Sequence, residues 1–292
     1  MKSVTVIHCW SAPRSRSTAL LYSFEARGEG CIAIDEPLYR EWLIRKGDSV
    51  ARPYFRELTE GKPPADAPEE ADVWKRELPS LNERLRAAAE KLGFGGIIFC
   101  KHMAKHSFLY DFDQECKLEN VELIHRHLLL IRDPVAVLAA WGKVGDVHGN
   151  NPTSDEVGIV PLLSIYSKLE SKTKGQIHPV VVESDDLSSD PETTISNLCE
   201  GLSIPYKESM MSWKKGPHAC DGPWAKVGDK LFANVNLSNG KYMFTSKASL
   251  LTWCPQFGSG GTKMCINRKV GFVLPRKTTT PRQASTELWT QC

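Results

Sequence analysis

The sequence of 292 residues lacks the features that mark several classes of protein. Its formal net charge is only +2, which argues against a dedicated nucleic-acid binder, since such proteins gain affinity from a basic excess. It contains no apolar run of 18 or more residues, so no segment is predicted to span a membrane. No cleavable apolar leader is predicted before the first strand. The nine cysteines are odd in number and form no CxxC pair, which favours reduced thiols and a cytoplasmic location.

The beginning of the chain has the pattern of an anion-binding loop. The apolar run Val4–Trp10 is typical of a buried strand, and a helical pattern follows from Ser17 to Arg27, where Gly28 ends it. The turn between them carries Arg14 and Arg16. Backbone amides at a helix N-terminus point to one place, where the helix dipole and both guanidinium groups favour negative charge. We therefore predict a phosphate cradle at this turn.

Two kinds of phosphate chemistry do not fit this loop. The Walker A loop of nucleotide hydrolases and kinases needs two glycines and a lysine at fixed spacing, and the loop has neither. Cysteine phosphatases carry a His-Cys-x5-Arg signature, but Arg14 follows Cys9 after four residues and Arg16 after six. We interpret Cys9 as a small apolar residue that ends a buried strand.

Apolar runs alternate with helical patterns along the next two hundred residues. The predicted strands are Val4–Trp10, Cys31–Asp35, Ile97–Cys100, His127–Ile131 and Pro179–Glu183. The predicted helices include 17–27, one or two within 38–60, one from the Ser80 capping box to Leu92, one from Pro134, 160–173 and one from Pro191. Val135, Leu138 and Trp141 are predicted to form the buried face of the helix from Pro134. The alternation predicts an α/β protein, a parallel sheet with helices on both faces.

Several of the predicted strands are followed directly by polar residues. Asp35-Glu36 follows the second strand, Lys101-His102 the third and Arg132-Asp133 the fourth. The carboxyl ends of the strands line the ligand crevice of an open α/β sheet. We expect these residues to face the same opening as the first loop.

These motifs resemble those of a known family. Pro13-Arg-Ser-Arg-Ser-Thr18 is similar to the 5′-phosphosulfate loop of sulfotransferases, usually Pro-Lys/Arg-Ser-Gly-Thr, and Leu130-Ile-Arg-Asp-Pro134 to their 3′-phosphate motif. The sequence most resembles a bacterial and plant subgroup of sulfotransferase-like P-loop proteins. Its five motifs occur here in order, as Ser11–Leu20, Asp35–Tyr39, Lys101–Met103, Ile131–Pro134 and Gly216–Trp224. Some plant relatives join this module to a branched-chain aminotransferase-like module, which is not visible in this sequence.

The resemblance implies a three-layer α/β/α, P-loop NTPase-like sulfotransferase fold and a set of site residues. The donor would be 3′-phosphoadenosine 5′-phosphosulfate, with the 3′-phosphate held by Arg132. The predicted ligands of its 5′-phosphosulfate are Arg14, Ser15, Arg16, Ser17 and Thr18. The predicted catalytic residues are Arg14, which stabilises charge on the leaving oxygen, and Glu36 or His102 as the base.

The sequence departs from the family pattern at two positions. Arg16 occupies a position where sulfotransferases mostly have glycine, and Ala140 replaces the serine that partners the 3′-phosphate arginine. His102 and His106 have the spacing of a zinc pair on a helix, but no third ligand follows at a suitable distance, and no metal is predicted.

The sequence changes character near Trp224. Residues 227–292 contain nine Lys/Arg and two Asp/Glu, with no sustained helical or strand period. We predict a sulfotransferase-like domain at 1–226 and an atypical, poorly ordered tail at 227–292, interpreted as read-through or alternative coding sequence.

The sequence therefore predicts a cytoplasmic sulfotransferase-like protein that acts on a small-molecule hydroxyl or amine, without nucleic-acid or membrane partners. It does not identify the acceptor, the oligomeric state or whether catalysis occurs. One alternative is a non-catalytic nucleotide- or phosphate-binding module, or part of an aminotransferase-like fusion protein. A P-loop nucleotide hydrolase is the other.

Overall fold

The computed structural model describes residues 3–46, 79–93, 95–145, 153–174, 178–214, 218–222, 237–238 and 241–243. All of them belong to one compact unit, Met1–Ser249. The strands of its main sheet are β1 (Ser3–Ser11), β2 (Cys31–Asp35), β3 (Ile97–Met103), β4 (Glu122–Ile131) and β5 (Val180–Glu183). The α-helices are α1 (Ser17–Glu25), α2 (Tyr39–Lys46), α3 (Leu81–Leu92), α4 (Pro134–Gly145), α5 (Ser154–Val157), α6 (Ile159–Thr173), α7 (Asp186–Ser189) and α8 (Pro191–Gly201). Short 3-10 helices occupy Ala104–Leu109 and Glu208–Met211.

The main sheet is parallel throughout, and its strand order is β2-β3-β1-β4-β5. After β1 the chain builds one side of the sheet with β2 and β3, and it then crosses to the other side with β4 and β5. The strand order therefore reverses at β1. In open α/β sheets, ligands bind outside the carboxyl end of the strand where this reversal occurs.

Alternate residues of the strands belong to two separate hydrophobic cores. Ile7 and Cys9 of β1 pack into one core with α1 and α8, whereas Val6 and Trp10 pack into the other with α3 and α6. Because successive side chains of a strand point to opposite faces, the two cores lie on opposite faces of the sheet. The predicted α/β/α architecture with a parallel sheet is confirmed.

The capping residues read from the sequence begin their helices. Ser80 and Glu83 form a reciprocal capping box before α3, and the Asp133 carboxylate accepts a hydrogen bond from the amide of Val135, 2.7 Å away, at the start of α4.

The predicted buried face of α4 is wrong, however. Val135 is 72% exposed and Leu138 48% exposed, whereas Val137 is buried. Five of the first six residues of α4 are apolar, so its sequence does not select one face.

The chain beyond the main sheet forms a second, small sheet. In it β6 (Ser212–Lys214) and β7 (Leu237–Ser238) both pair antiparallel with β8 (Lys241–Met243). Most of the predicted tail, 227–292, lies outside the described residues, so the predicted boundary at 226 stays a prediction. None of the helices in the described part of the chain combines the length and hydrophobicity needed to cross a bilayer.

Candidate functional site

The predicted anion loop lies at the point where the strand order reverses. It connects the carboxyl end of β1 to α1, and β1 is flanked by β3 and β4. Since all five strands are parallel, Glu36 after β2 and Arg132 after β4 lie at the same edge of the sheet as the loop. The structure thus places the sequence motifs along one edge.

The loop is held in a strained backbone conformation. Arg14 and Arg16 have φ angles of 62° and 63°, in the left-handed region that glycine occupies most easily. A non-glycine residue there costs about 1–3 kcal/mol. The Ser15 hydroxyl, which is buried, donates to the carbonyl of Ala12 at 2.6 Å and closes the turn. The angle at Arg16 gives a physical reason why glycine is usual at this position.

The N-terminus of α1 has the properties of an anion site. Its N-cap is Arg16, which makes no capping hydrogen bond through its side chain, and the first turn contains no acidic residue. Ser17 is buried in this turn and Thr18 is half-buried. The amides of the first helical turn have no intrahelical acceptor, so they and the helix dipole favour an anion.

The guanidinium group of Arg132 contacts the backbone of the anion loop. Nη1 of Arg132 donates to the carbonyl of Arg14 at 2.5 Å. Burial, and then the charge of Arg132, lower the pKa of Arg14, and burial followed by Arg16 lowers the pKa of Arg132. The Nε atoms of Arg14 and Arg132 are buried and have no hydrogen-bond partner among the described residues. Arg132 therefore lies against the loop that carries Arg14, and each of these predicted phosphate-binding side chains has an N–H donor without an acceptor among the described residues.

Arg16 is attached to the loop that follows β5. Its Nη1 donates to the carbonyl and hydroxyl of Ser184, both at 2.9 Å, and forms an ion pair with Asp185 at 2.8 Å. These contacts connect the anion loop to the residues that follow the edge strand β5. The sequence did not predict the role of Ser184 and Asp185, because it gives no strand order.

Glu36 lies in a buried group of three charges. Nζ of Lys101 donates to Asp35 at 2.6 Å and to Glu36 at 2.9 Å. Burial raises the pKa of Glu36 although Lys101 opposes it, and Asp35 adds to the rise. Burial alone would lower the pKa of Lys101, but the two carboxylates raise it. Glu36 also has a φ angle of 36°, so the backbone is strained at this position.

His102 lies inside the protein, in a group of histidines on the α3–α6 face of the sheet. It is fully buried, and its Nε2 is 3.1 Å from Nδ1 of His8. Burial, then the charges of His127 and Lys101, lower its pKa to about 3. The contacts of its ring are to His8, Trp10 and Tyr110. The prediction that the third strand ends at Cys100 and that His102 faces the opening of the loop is wrong, because β3 continues to Met103 and His102 is a buried residue of the strand. The sequence also missed His8 and His127, which only the strand register brings close to it.

The last of the five motifs packs against α1 and the end of β2. Asp221 accepts a hydrogen bond from the Tyr22 hydroxyl at 2.6 Å, and the amide of Gly222 donates to Asp35 at 3.4 Å. His218 is hydrogen-bonded to Glu25, and Glu25 also accepts from the amide of Cys220 at 3.1 Å. The described residues of this motif, 218–222, therefore attach it to α1 and to Asp35 of the buried charge group.

Two other sequence interpretations concern Cys9 and Ala140. Cys9 is fully buried in the α1 core, and burial raises the pKa of its thiol to about 12. Such a thiol is a poor nucleophile, which agrees with its interpretation as a core residue. Ala140 lies half-buried on α4, and its methyl group offers no donor where the family's serine would stand.

Comparisons with known proteins identify the family of this chain. Residues 84–241 match the sulfotransferase domain family. Branched-chain-amino-acid aminotransferase-like proteins 1 and 2 of Arabidopsis thaliana are 35% identical over 225 residues and 36% over 221. These alignments cover 77% and 75% of this chain but only 35% and 34% of the relatives. The chain thus spans about a third of the length of the curated relatives it matches. The sulfotransferase domain of a Synechococcus olefin synthase is 19% identical, with a TM-score of 0.45, over 72% of this chain and 78% of that one.

The family match extends over more than half of the chain. It begins within α3 and therefore includes β3, which carries the candidate base His102, and the motif around Arg132. The strand-loop-helix unit that precedes it supplies the anion loop. The chain belongs to the sulfotransferase domain family.

Proposed function

We propose that the chain binds 3′-phosphoadenosine 5′-phosphosulfate and transfers its sulfuryl group to the hydroxyl or amine of a small-molecule acceptor. The observation that carries the proposal is the pairing of Arg14 with Arg132 beside the uncapped N-terminus of α1. Membership of the sulfotransferase family supports it, since sulfotransferases in general use this donor.

The residues at the loop fit such an anionic donor. A buried donor without an acceptor costs about 1–3 kcal/mol, more when it is charged. Both Arg14 and Arg132 leave an Nε atom in this state within the described structure. Phosphate or sulfate oxygens accept from guanidinium groups in a forked geometry. An anion would therefore satisfy these donors and also reduce the repulsion between the two side chains.

The site residues have distinct proposed roles. When bound, the donor supplies the activated sulfuryl group. The amides of Ser17 and Thr18, and the backbone at Ser15 and Arg16, would cradle its 5′ end. The side chain of Arg16 is hydrogen-bonded to Ser184, so we expect Arg16 to contact the donor through its backbone.

Charge stabilisation and proton removal fall to different residues. We assign Arg14 to the negative charge that develops on the leaving oxygen. We assign the base to Glu36 in preference to His102, since a raised pKa makes a carboxylate a stronger base. A histidine with a pKa near 3 is a weak base, and His102 has no exposed surface.

Calorimetric titration with 3′-phosphoadenosine 5′-phosphate tests the donor site. We expect Arg14→Ala and Arg132→Ala to weaken binding by about 10- to 100-fold, the range for a charge-assisted hydrogen bond. Arg86→Ala on the exposed surface of α3 is the matched control and should bind like the wild type. Unchanged binding in both site variants would refute the assignment. Transfer of labelled sulfate to a panel of phenols and amines then tests catalysis.

A second candidate function, a non-catalytic nucleotide- or phosphate-binding module, is favoured by Ala140. The missing hydroxyl removes one expected donor to the 3′-phosphate. Ala140→Ser restores it, and we expect tighter binding of the nucleotide by about 2- to 10-fold, with no change for inorganic phosphate. Tight phosphate binding without nucleotide binding in either protein would support the non-catalytic module instead.

A further inference from the structure

Three ligand-type side chains meet on the face of the sheet opposite α1. His8 of β1 lies directly beside Cys100 of β3, and Trp10 lies beside His102, in the parallel register of the two strands. Cys100 and His102 are two residues apart and therefore point to the same face. His8, Cys100 and His102 are all fully buried.

Their distances are close to those of a metal site. One ring nitrogen of each histidine and the sulfur of Cys100 all lie within 4.8 Å of one another. Nδ1 of His8 and Nε2 of His102 are 3.1 Å apart. In a tetrahedral zinc site two nitrogens stand about 3.3 Å apart and a nitrogen and a sulfur about 3.6 Å apart. Shifts of a few tenths of an ångström to about one ångström would complete this geometry.

The hydrogen bonds around His8 fix its protonation. Nε2 of His125 is 3.0 Å from the carbonyl of Cys116, so it must donate. In the neutral His125 ring Nδ1 is then the acceptor, and it accepts from Nε2 of His8 at 2.9 Å. Nδ1 of His8 consequently carries a lone pair, and this atom is 3.1 Å from Nε2 of His102.

The same chain of bonds determines the state of His102. Because Nδ1 of His8 accepts, Nε2 of His102 donates to it, and Nδ1 of His102 carries the remaining lone pair. That atom is buried and has no hydrogen-bond partner among the described residues. The imidazole proton can therefore move to Nδ1 without breaking another bond.

We infer that His8, Cys100 and His102 form a binding site for a thiophilic metal ion, represented by Zn²⁺. Imidazole nitrogen and thiolate sulfur are the ligands that zinc prefers in proteins. The bond from Nε2 of His8 to His125, which in turn donates to the Cys116 carbonyl, is the outer-shell support that metal-bound histidines require. This inference does not depend on sulfuryl transfer.

Metal binding at this site has a defined proton balance. The ion takes the lone pairs of His8 Nδ1 and His102 Nε2, and the proton that His102 Nε2 carried moves to its Nδ1. A cysteine thiol is protonated at neutral pH in the absence of a metal ion, so the free site holds a protonated sulfur. The thiolate binds the ion, and its proton leaves to solvent. One proton is therefore released for each ion bound.

Titration of the full-length, metal-free protein with Zn²⁺ against a chromophoric chelator tests this site. We expect one ion per chain at the site, with release of one proton in weakly buffered solution. Co²⁺ in place of Zn²⁺ should give a thiolate-to-cobalt charge-transfer band. Cys100→Ala should abolish the band and weaken Zn²⁺ binding by at least 100-fold, and His125→Phe should weaken binding by about 10- to 100-fold.

Cys9→Ala is the matched control, because Cys9 is an equally buried cysteine of the neighbouring strand on the other face of the sheet. We expect it to bind Zn²⁺ and Co²⁺ like the wild type. Wild-type protein that takes up no Zn²⁺, or Zn²⁺ binding that survives Cys100→Ala unchanged, would overturn the inference. If Cys100→Ala does not fold, the wild-type proton release and cobalt band decide, since ions held by carboxylates give no thiolate band.

Discussion

Lys101 is the side chain whose removal should disturb the site most clearly. Its side chain is only 4% exposed, and its ammonium group is 2.6 Å from Asp35 and 2.9 Å from Glu36. Lys101→Met keeps most of the length and apolar volume of the side chain and removes only its charge and its donors. The substitution leaves two buried carboxylates without their shared cation.

The expected loss of stability follows from these distances. At an effective dielectric constant of about 20, each contact corresponds to about 6 kcal/mol of attraction. Much of this attraction offsets the cost of removing three charges from water. Removing one partner of a buried pair usually costs about 3–5 kcal/mol, because the other charge stays buried. We expect the free energy of unfolding of Lys101→Met to fall by this amount at pH 7.

The loss should depend on pH in a defined direction. Without Lys101 the pKa of Glu36 in the folded protein rises further above its unfolded value, so the folded state holds more protons. The unfolding free energy of the variant then rises relative to wild type as pH falls. The difference should shrink by about 1.4 kcal/mol per pH unit for each proton taken up between pH 7 and 5.

Urea denaturation at pH 7 and pH 5 measures both effects. Lys91→Met on the exposed surface of α3 is the matched control, and it should change stability by less than about 0.5 kcal/mol at either pH. A loss below about 1 kcal/mol, or one that is the same at both pH values, would refute the argument. Either result would mean that water solvates the carboxylates.

Three further substitutions have defined outcomes. His106 is fully buried, and burial followed by the charge of Lys105 lowers its pKa, so its folded state resists protonation. It should therefore contribute about 1.4 kcal/mol to the unfolding free energy that the wild type loses between pH 7.5 and pH 5.5, and denaturation of His106→Leu should show a loss that is smaller by this amount. Gly158 has a φ of 88°, and a Cβ there would lie 3.0 Å from Cα of Ala12. Gly158→Ala should therefore weaken nucleotide binding in calorimetry by displacing the loop, whereas Gly93→Ala, strained but without a neighbour within 4 Å, should only lower stability. Ser80→Ala removes the N-cap of α3 and should lower the free energy of unfolding, measured by denaturation, by about 1 kcal/mol.

The sequence predicts the layers of this fold well because its strands and helices have strong local signals. Ser80 and Asp133 begin helices where their side chains can cap them, and the apolar runs become strands. The position of the anion loop followed from the same local rules, since a polar turn between a buried strand and a helix has few other structures available. The pairing of Arg14 with Arg132 came from a resemblance to a family, and the geometry now gives it a contact.

The contacts that depend on strand order could not be predicted. Lys101 meets Asp35 only because β2 and β3 are neighbours. His8 lies between Cys100 and His127 only because β1 pairs with both β3 and β4 in a particular register. The sequence did contain a signal, since His125 and His127 alternate along one strand and must share a face. That signal says nothing about which strand lies opposite.

The same buried environment leads to opposite chemical roles for the two candidate bases. For a carboxylate, burial favours the neutral form and raises the pKa, so Glu36 becomes a stronger base while Lys101 keeps it ionisable. For an imidazole, burial also favours the neutral form but lowers the pKa, so His102 becomes a weaker base with a free lone pair. A neutral, buried imidazole beside a thiol is better suited to hold a metal ion than to remove a proton from an acceptor. We therefore expect Glu36→Gln to reduce sulfuryl transfer much more than His102→Asn, and the opposite order for Zn²⁺ affinity.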